Sequence, residues 1–233
     1  MGIFGDYAHK YHEQGFQVIP VNGKIAFTPG FQKYSKEKQP SQLIDAFVEL
    51  HSDKNIGLIL GEASRVCAID IDTDDEYIKR LVPSSPVRKI GAKGETRFFY
   101  TPKGASGIKI KAKMLNGDKV HETTLVEVLA TGNYTVMPPS IHPDTGKPYY
   151  YVGESLLGFD VECLPALDLS WIDTLKKYIS EAYENKEYTS MGTLAGGGRN
   201  NTLKSICVAM LSRGESDEDI IKELDRVDDT FDK

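Results

Sequence analysis

The chain is poor in cysteine and tryptophan, and it lacks any long apolar run. Its three cysteines, Cys67, Cys163 and Cys207, are odd in number and far apart, which excludes a disulfide framework and a zinc site of paired cysteines. They read as reduced core residues. No stretch approaches the ~18 apolar residues of a membrane helix, and Met1 to Lys10 hold no apolar run behind a basic start. No membrane partner is expected, and the cytoplasm is the expected compartment. No internal repeat is present. With 233 residues, 40% hydrophobic and 27% charged, the composition is that of a folded globular protein able to bury a core.

Excess positive charge is also missing, since the formal net charge is -6. Its distribution is nevertheless uneven. From Arg213 to Lys233 there are nine acids and four bases, net -5, which leaves -1 for everything before. From Arg88 to Lys119, nine Lys or Arg stand against Glu95 and Asp118, net +7. Such a stretch is a candidate phosphate-binding footprint.

The apolar pattern predicts a helix over Ile3 to Gln14, closed by Gly15, and a strand over Phe16 to Val21. Asn22 to Pro40, with Gly23, Pro29 and Gly30, reads as a loop carrying Lys24 near its start. Ser41 is the expected cap of a helix whose apolar positions are Leu43, Phe47 and Leu50. Ile56 to Leu60 and Val66 to Ile71 are predicted central strands, followed by a short helix over Asp74 to Val82. The largest sheet is expected between Pro83 and Val152. Within it, Ile108, Ile110, Ala112 and Met114 alternate with Lys109, Lys111 and Lys113, the period of a strand with one basic face. Leu125 to Leu129 and Tyr134 to Met137 flank Thr131-Gly132-Asn133, which predicts a hairpin. Further on, Leu169 to Ala182 predicts a helix, Tyr183 to Gly198 a linker, and Arg199 to Ser212 and Ser216 to Val227 two helices, the last capped by Ser216.

Chemistry is most legible in CAIDIDTDD, Cys67 to Asp75. In a strand, Asp70 and Asp72 share one face, roughly 7 Å apart at their Cα atoms, opposite Cys67, Ile69 and Ile71. Two carboxylates so placed repel each other unless a hard cation joins them. Glu127, in LVEVL between Leu125 and Leu129, is the candidate third ligand, because a carboxylate flanked by apolar residues needs a partner. The spacing alone leaves open a strand running into a solvated acidic turn. Gly91-Ala92-Lys93-Gly94-Glu95-Thr96-Arg97 is a glycine-rich turn whose freed amides suit phosphate, or else a surface turn with solvated charges.

The segment Val136 to Gly146, VMPPSIHPDTG, resembles the part of archaeo-eukaryotic primases where a serine and a histidine precede a proline and a Thr-Gly turn. The order of motifs resembles the bifunctional primase-polymerase branch found in plasmids, phages and mobile elements. GFQVIPVNGK and NIGLILG look like that branch too, so the resemblance covers roughly Tyr11 to Val152. It implies an α+β primase catalytic core, with an RNA-recognition-like (RRM-like) sheet and a smaller N-terminal module. It implies template-dependent nucleotidyl transfer using Mg²⁺ or Mn²⁺ held by Asp70, Asp72 and Glu127. Lys93, Gly94, Ser140 and His142 would bind the nucleoside triphosphate. Thr96 stands where that family's second motif has histidine, and Arg97 or Lys93 is the expected substitute. Lys109, Lys111 and Lys113 are expected on DNA template and primer, or else as solubilising residues. GGGRNNTLKSICVAMLSRGESDEDI resembles the start of the family's helical primase module, with Arg199 and Asn200 at matching positions toward DNA. The expected organisation is a catalytic domain over 1–168, a helix and linker over 169–198, and a partial helical module over 199–233. A helicase, fused or separate, is left open as a partner. Two rivals also stay open: an initiator with the same fold that does not polymerise, and a metal-dependent nuclease.

Overall fold

The computed structural model describes residues 2–92, 94–116, 119–183, 207, 210 and 216–228. Helix α1 (Ile3–Glu13) buries Phe4, Ala8 and Tyr11, the stripe its apolar spacing predicts. Gly15, at φ +90°, turns the chain into β1 (Gln17–Asn22), whose first five residues are buried. The expected loop after it contains two short elements, β2 (Ile25–Ala26), which folds back on β1, and a 3-10 turn over Phe31–Ser35. Helix α2 (Ser41–His51) departs from expectation in two respects. Pro40 holds the cap position and no side chain caps the helix, so Ser41 is its first residue. The inner face is Ile44, with Phe47 and Val48 packed beside it, while Leu50 is 70% exposed. Positions i, i+3 and i+4 thus form the buried stripe, and Leu50 falls outside it.

Strand β3 (Asn55–Ile59) pairs antiparallel with β1 and with β9 (Tyr134–Val136), giving a four-stranded sheet of order β2-β1-β3-β9. The six-stranded sheet comprises β4 (Val66–Ile71), β5 (Val87–Ile90), β6 (Glu95–Tyr100), β7 (Ile108–Asn116), β8 (Lys119–Leu129) and β10 (Tyr150–Gly153), in the order β10-β5-β6-β4-β8-β7. The class is therefore α+β with antiparallel sheets, as expected. The predicted hairpin at Thr131 to Asn133 does not form. Strand β8 pairs with β4, β9 pairs with β3, and the connection carries the chain from one sheet to the other. A shared core explains the crossing. Phe4, Tyr11, Val18 and Leu58 pack with Val66, Ala68, Val87 and Phe98 in one apolar cluster. One face of the large sheet is therefore apolar over Ala68 and Phe98 and can change character only farther along its strands.

The chain forms two compact units, one of residues 1–74, 82–110 and 124–172, the other of 75–81, 111–123 and 173–233. In the second, Asp75 accepts the amides of Tyr77 and Ile78 at the start of α3 (Glu76–Leu81). Its other carboxylate oxygen accepts the hydroxyls of Tyr178 and Tyr183 on α4 (Ile172–Tyr183), at 2.9 and 2.8 Å. Ser216 caps α5 (Asp217–Asp228) by accepting the Asp219 amide, as its sequence predicts. The helix expected over Arg199–Ser212 lies outside the described residues except at 207 and 210, and Lys93, Arg199 and Asn200 lie outside them too. Cys67 is buried but Cys163 is exposed, so the cysteines are not uniformly core residues. Among the described residues no helix is long and apolar enough to cross a membrane.

Candidate active site

Beyond its apolar part, the face of the large sheet that carries Ala68 and Phe98 becomes polar. Lys89 on β5, Thr96 on β6, Asp70 on β4 and Glu127 on β8 are successive cross-strand partners. Residues directly opposed in antiparallel strands project to the same face, so these four form one row. Two carboxylates directly opposed are destabilising, and both have acquired donors. The Thr96 hydroxyl donates to Asp70 Oδ1 at 2.5 Å. Lys109 on β7 places its Nζ 3.2 Å from Glu127 Oε1. Asp72 follows just beyond β4, where its amide donates to Leu125 O at 2.9 Å. The two-residue period returns its exposed side chain toward the side of Asp70.

The glycine-rich turn closes against the end of this strand. Gly94 has φ +64°, and a Cβ there would lie 1.8 Å from Ile71 O. No other residue fits, because both backbone angle and space require glycine. A Cβ at Gly91 would meet Tyr149 at 2.5 Å and His142 Cδ2 at 3.2 Å. The turn is thus pressed between the acidic strand and the His142 loop.

Arg97 does not join the row. Its partner across β4 is Ile69, so it faces away from Asp70, and its donors are engaged elsewhere. Nε and Nη2 both pair with Glu95 Oε1, and Nη1 donates to the carbonyls of Val82 and Pro83. Of the two expected substitutes for the missing histidine, Arg97 is turned away from the row by this register, and Lys93 lies outside the described residues. Glu95, the acid of the glycine-rich turn, is not solvated as a surface turn would have it but largely buried between Arg97 and Arg88.

Ser140 and His142 come to the site in different ways. Ser140 is fully buried, and its Oγ accepts the Ile56 amide at 2.9 Å, which ties the loop to β3. His142 is 4% exposed, and its Nδ1 accepts the Asp144 amide at 3.2 Å. The proton of the neutral ring therefore sits on Nε2, beside the Cδ2 edge that faces Gly91. Burial first, then the charges of Lys24 and Lys89, lower the His142 pKa against the opposing pull of Asp144. The ring stays a neutral donor near neutral pH. Tyr149 packs beside it at 5.3 Å, with its hydroxyl pushed up to about 12 by burial and by the charge of Asp70.

Lys89 is the residue that sequence reasoning did not single out. It is 5% exposed, donates to Val136 O at 2.7 Å and lies 5.0 Å from the Tyr149 ring centre. Burial pulls its pKa down to about 8, with Asp70 and Asp72 opposing and Lys24 assisting. The one signal for it was its place two residues before the glycine-rich turn.

The lysines of β7 divide. Lys109 is turned to Glu127, whereas exposed Lys111 pairs with exposed Glu122 at 3.1 Å. Lys113 is exposed. Among the described residues no group of three or more His, Cys, Asp or Glu is gathered closely enough to hold a metal ion as the side chains stand. The donor set itself fits a hard divalent cation: three carboxylates and no sulfur or imidazole. The Lys109 ammonium already sits where a cation would meet Glu127.

A family model described as bifunctional DNA primase/polymerase, N-terminal, matches residues 8–167. That span includes every residue of the row. No curated protein matches the chain.

Proposed function

The chain belongs to the bifunctional DNA primase/polymerase family, and from that premise we propose that it joins nucleotides on a DNA template through Asp70, Asp72 and Glu127. Nucleotidyl transfer, with DNA and nucleotides as substrates, is what the family model supports in general. One observation carries the finer reading: Asp70 and Glu127 stand in register on one sheet face, with Asp72 at the strand end. In this reading the six-stranded sheet is the RRM-like catalytic sheet of an archaeo-eukaryotic primase core. The four-stranded sheet with α1 and α2 is the smaller N-terminal module.

Asp70, Asp72 and Glu127 would hold Mg²⁺ or Mn²⁺, which when bound supplies a positive charge that favours the ionised hydroxyl nucleophile and offsets charge on the leaving phosphate. The primer 3′-hydroxyl oxygen bonds to the α-phosphorus, the bond to the bridging oxygen breaks, pyrophosphate leaves and the hydroxyl proton passes to solvent. Thr96 orients Asp70 by its hydrogen bond. His142 offers a neutral Nε2–H to a phosphate oxygen, beside the backbone of Gly91. Ser140 supports that loop through Ile56 rather than touching substrate. Lys111 and Lys113 contact template phosphates in this reading. Their removal should make DNA affinity less salt-dependent, by up to ~0.7 log-log units per single-strand contact, and an unchanged slope would leave them as solubilising residues.

The test is incubation of a labelled primer on a template with Mn²⁺, with and without nucleotides. Extension only with nucleotides supports the proposal. Shortening without nucleotides would identify a nuclease, and binding with neither product an initiator that does not polymerise.

A further inference from the structure

We propose that Lys89 is a nucleotide-binding residue whose buried ammonium pairs with the triphosphate of the incoming nucleotide. The proposal rests on the nucleotidyl-transfer reading for the identity of the anion, and on the structure for the existence of an anion site.

A lysine is almost never fully buried unless paired, because desolvating an ammonium is costly when no counter-charge compensates. Lys89 is 5% exposed. Among the described residues it makes one hydrogen bond, to Val136 O, and no ion pair. An ammonium has three donors, so Val136 uses only part of its capacity. Its neighbours are those of a polar site rather than a dry core. Lys89 opposes Thr96 in the row that continues to Asp70 and Glu127. It lies over the Tyr149 ring, and Tyr149 packs on His142. Lys24 is held to the same loop by Asp144 at 3.3 Å. Lys89 is therefore interposed between the carboxylates on one side and His142 with Lys24 on the other.

That arrangement matches the charge pattern of a nucleotide bound for transfer at its α-phosphate. The carboxylates serve the reacting end. A second set of donors must take the phosphate oxygens that a metal at the carboxylates leaves unpaired, and a charge-assisted contact from an ammonium suits them. Arg97 cannot serve, because it faces the other side of the sheet with its donors engaged. Lys89 is the described cation that lies in the row itself.

The experiment measures binding, not turnover. Dissociation constants for dATP, inorganic tripolyphosphate and unphosphorylated deoxyadenosine are obtained by calorimetry on the full chain and on Lys89→Met and Lys89→Gln. Thermal melts establish that each variant is folded, and primer extension is run in parallel. Both variants are expected to bind dATP and tripolyphosphate roughly tenfold or more weakly, the size of one charge-assisted hydrogen bond, with deoxyadenosine binding unchanged. Unaltered dATP binding in either folded variant overturns the proposal, as does absence of phosphate-dependent binding in the wild type. If the wild type extends primers while the variants bind normally, only the role of Lys89 falls. If phosphate binding depends on Lys89 but no primer is extended, the anion site stands and the nucleotidyl-transfer reading falls.

Discussion

Replacing Lys89 with methionine should change how stability depends on pH in a way that no exposed lysine would reproduce. Its pKa falls from 10.5 to about 8 on folding, chiefly through burial. At ~1.4 kcal/mol per unit, holding the ammonium inside costs the folded state roughly 3 kcal/mol. The sign follows from proton counting. Below pH 8 both states are protonated and the full penalty is present. Between about 8 and 10.5 the folded state has released its proton while the unfolded state has not, so stability rises with pH. Above 10.5 both are neutral and the penalty is gone. The methionine variant has no ammonium to desolvate, but it leaves the buried Val136 carbonyl without its donor, a loss of ~1–3 kcal/mol. At pH 7 the two effects largely offset each other. The diagnostic quantity is therefore the stability difference between Lys89→Met and wild type, from urea denaturation at several pH values between 7 and 10.5. Other lysines and tyrosines cancel in that difference. It should shift by roughly 3 kcal/mol in favour of wild type across the window. A flat difference would refute the claim that folding desolvates this ammonium, and with it the physical basis for an anion site there.

Gly94→Ala should destabilise by more than the ~1–2 kcal/mol of a left-handed residue alone, since its Cβ would meet Ile71 O. A chemical-denaturation loss below ~1 kcal/mol would show that the turn relaxes freely. Lys109→Ala should free Glu127, lowering the Mn²⁺ concentration for half-saturation in a paramagnetic-resonance titration. Stability should change by less than ~1 kcal/mol, because Lys109 is 60% exposed, and an unchanged titration would make the pair an ordinary surface bridge. Arg97→Ala should cost roughly 1–3 kcal/mol, because it removes the donor of the Val82 and Pro83 carbonyls and leaves Glu95 with Arg88 alone. The nucleotide Michaelis constant of the folded fraction should stay unchanged, and a raised constant with stability intact would return Arg97 to the triphosphate.

The elements that declared themselves in sequence were those whose pattern is local. The stripe of Phe4, Ala8 and Tyr11 and the alternation through Ile110 and Ala112 on β7 survive because period alone decides which face is buried. Asp70 and Glu127 were legible as carboxylates in apolar strands, and the pairing of β4 with β8 sets them opposite each other. What stayed hidden depends on partners distant in the chain. Thr131 to Asn133 has the chemistry of a tight turn, yet turn chemistry does not say which strand β9 will join, and β3 captures it. Thr96 and Arg97 differ by one position, so only the register with Asp70 and Ile69 determines which of them meets the acids. Lys89 looked like one of nine bases in a stretch read as a phosphate-binding footprint, with nothing local to set it apart. Its burial is decided by β10, Tyr149 and Val136, all distant from it in sequence.

The most direct measurement is incorporation of one labelled nucleotide into a primer-template by wild type and by Asp70→Asn, at equal concentrations of folded protein. Asparagine keeps the shape and can still accept the Thr96 hydroxyl, but it removes the charge that a metal ion needs. A loss of more than ~100-fold in rate, beyond what is typical when only a supporting residue of a metal site is removed, is the expected result. Incorporation within about tenfold of wild type, the lower end of what a supporting residue contributes, would contradict nucleotidyl transfer through this row of residues.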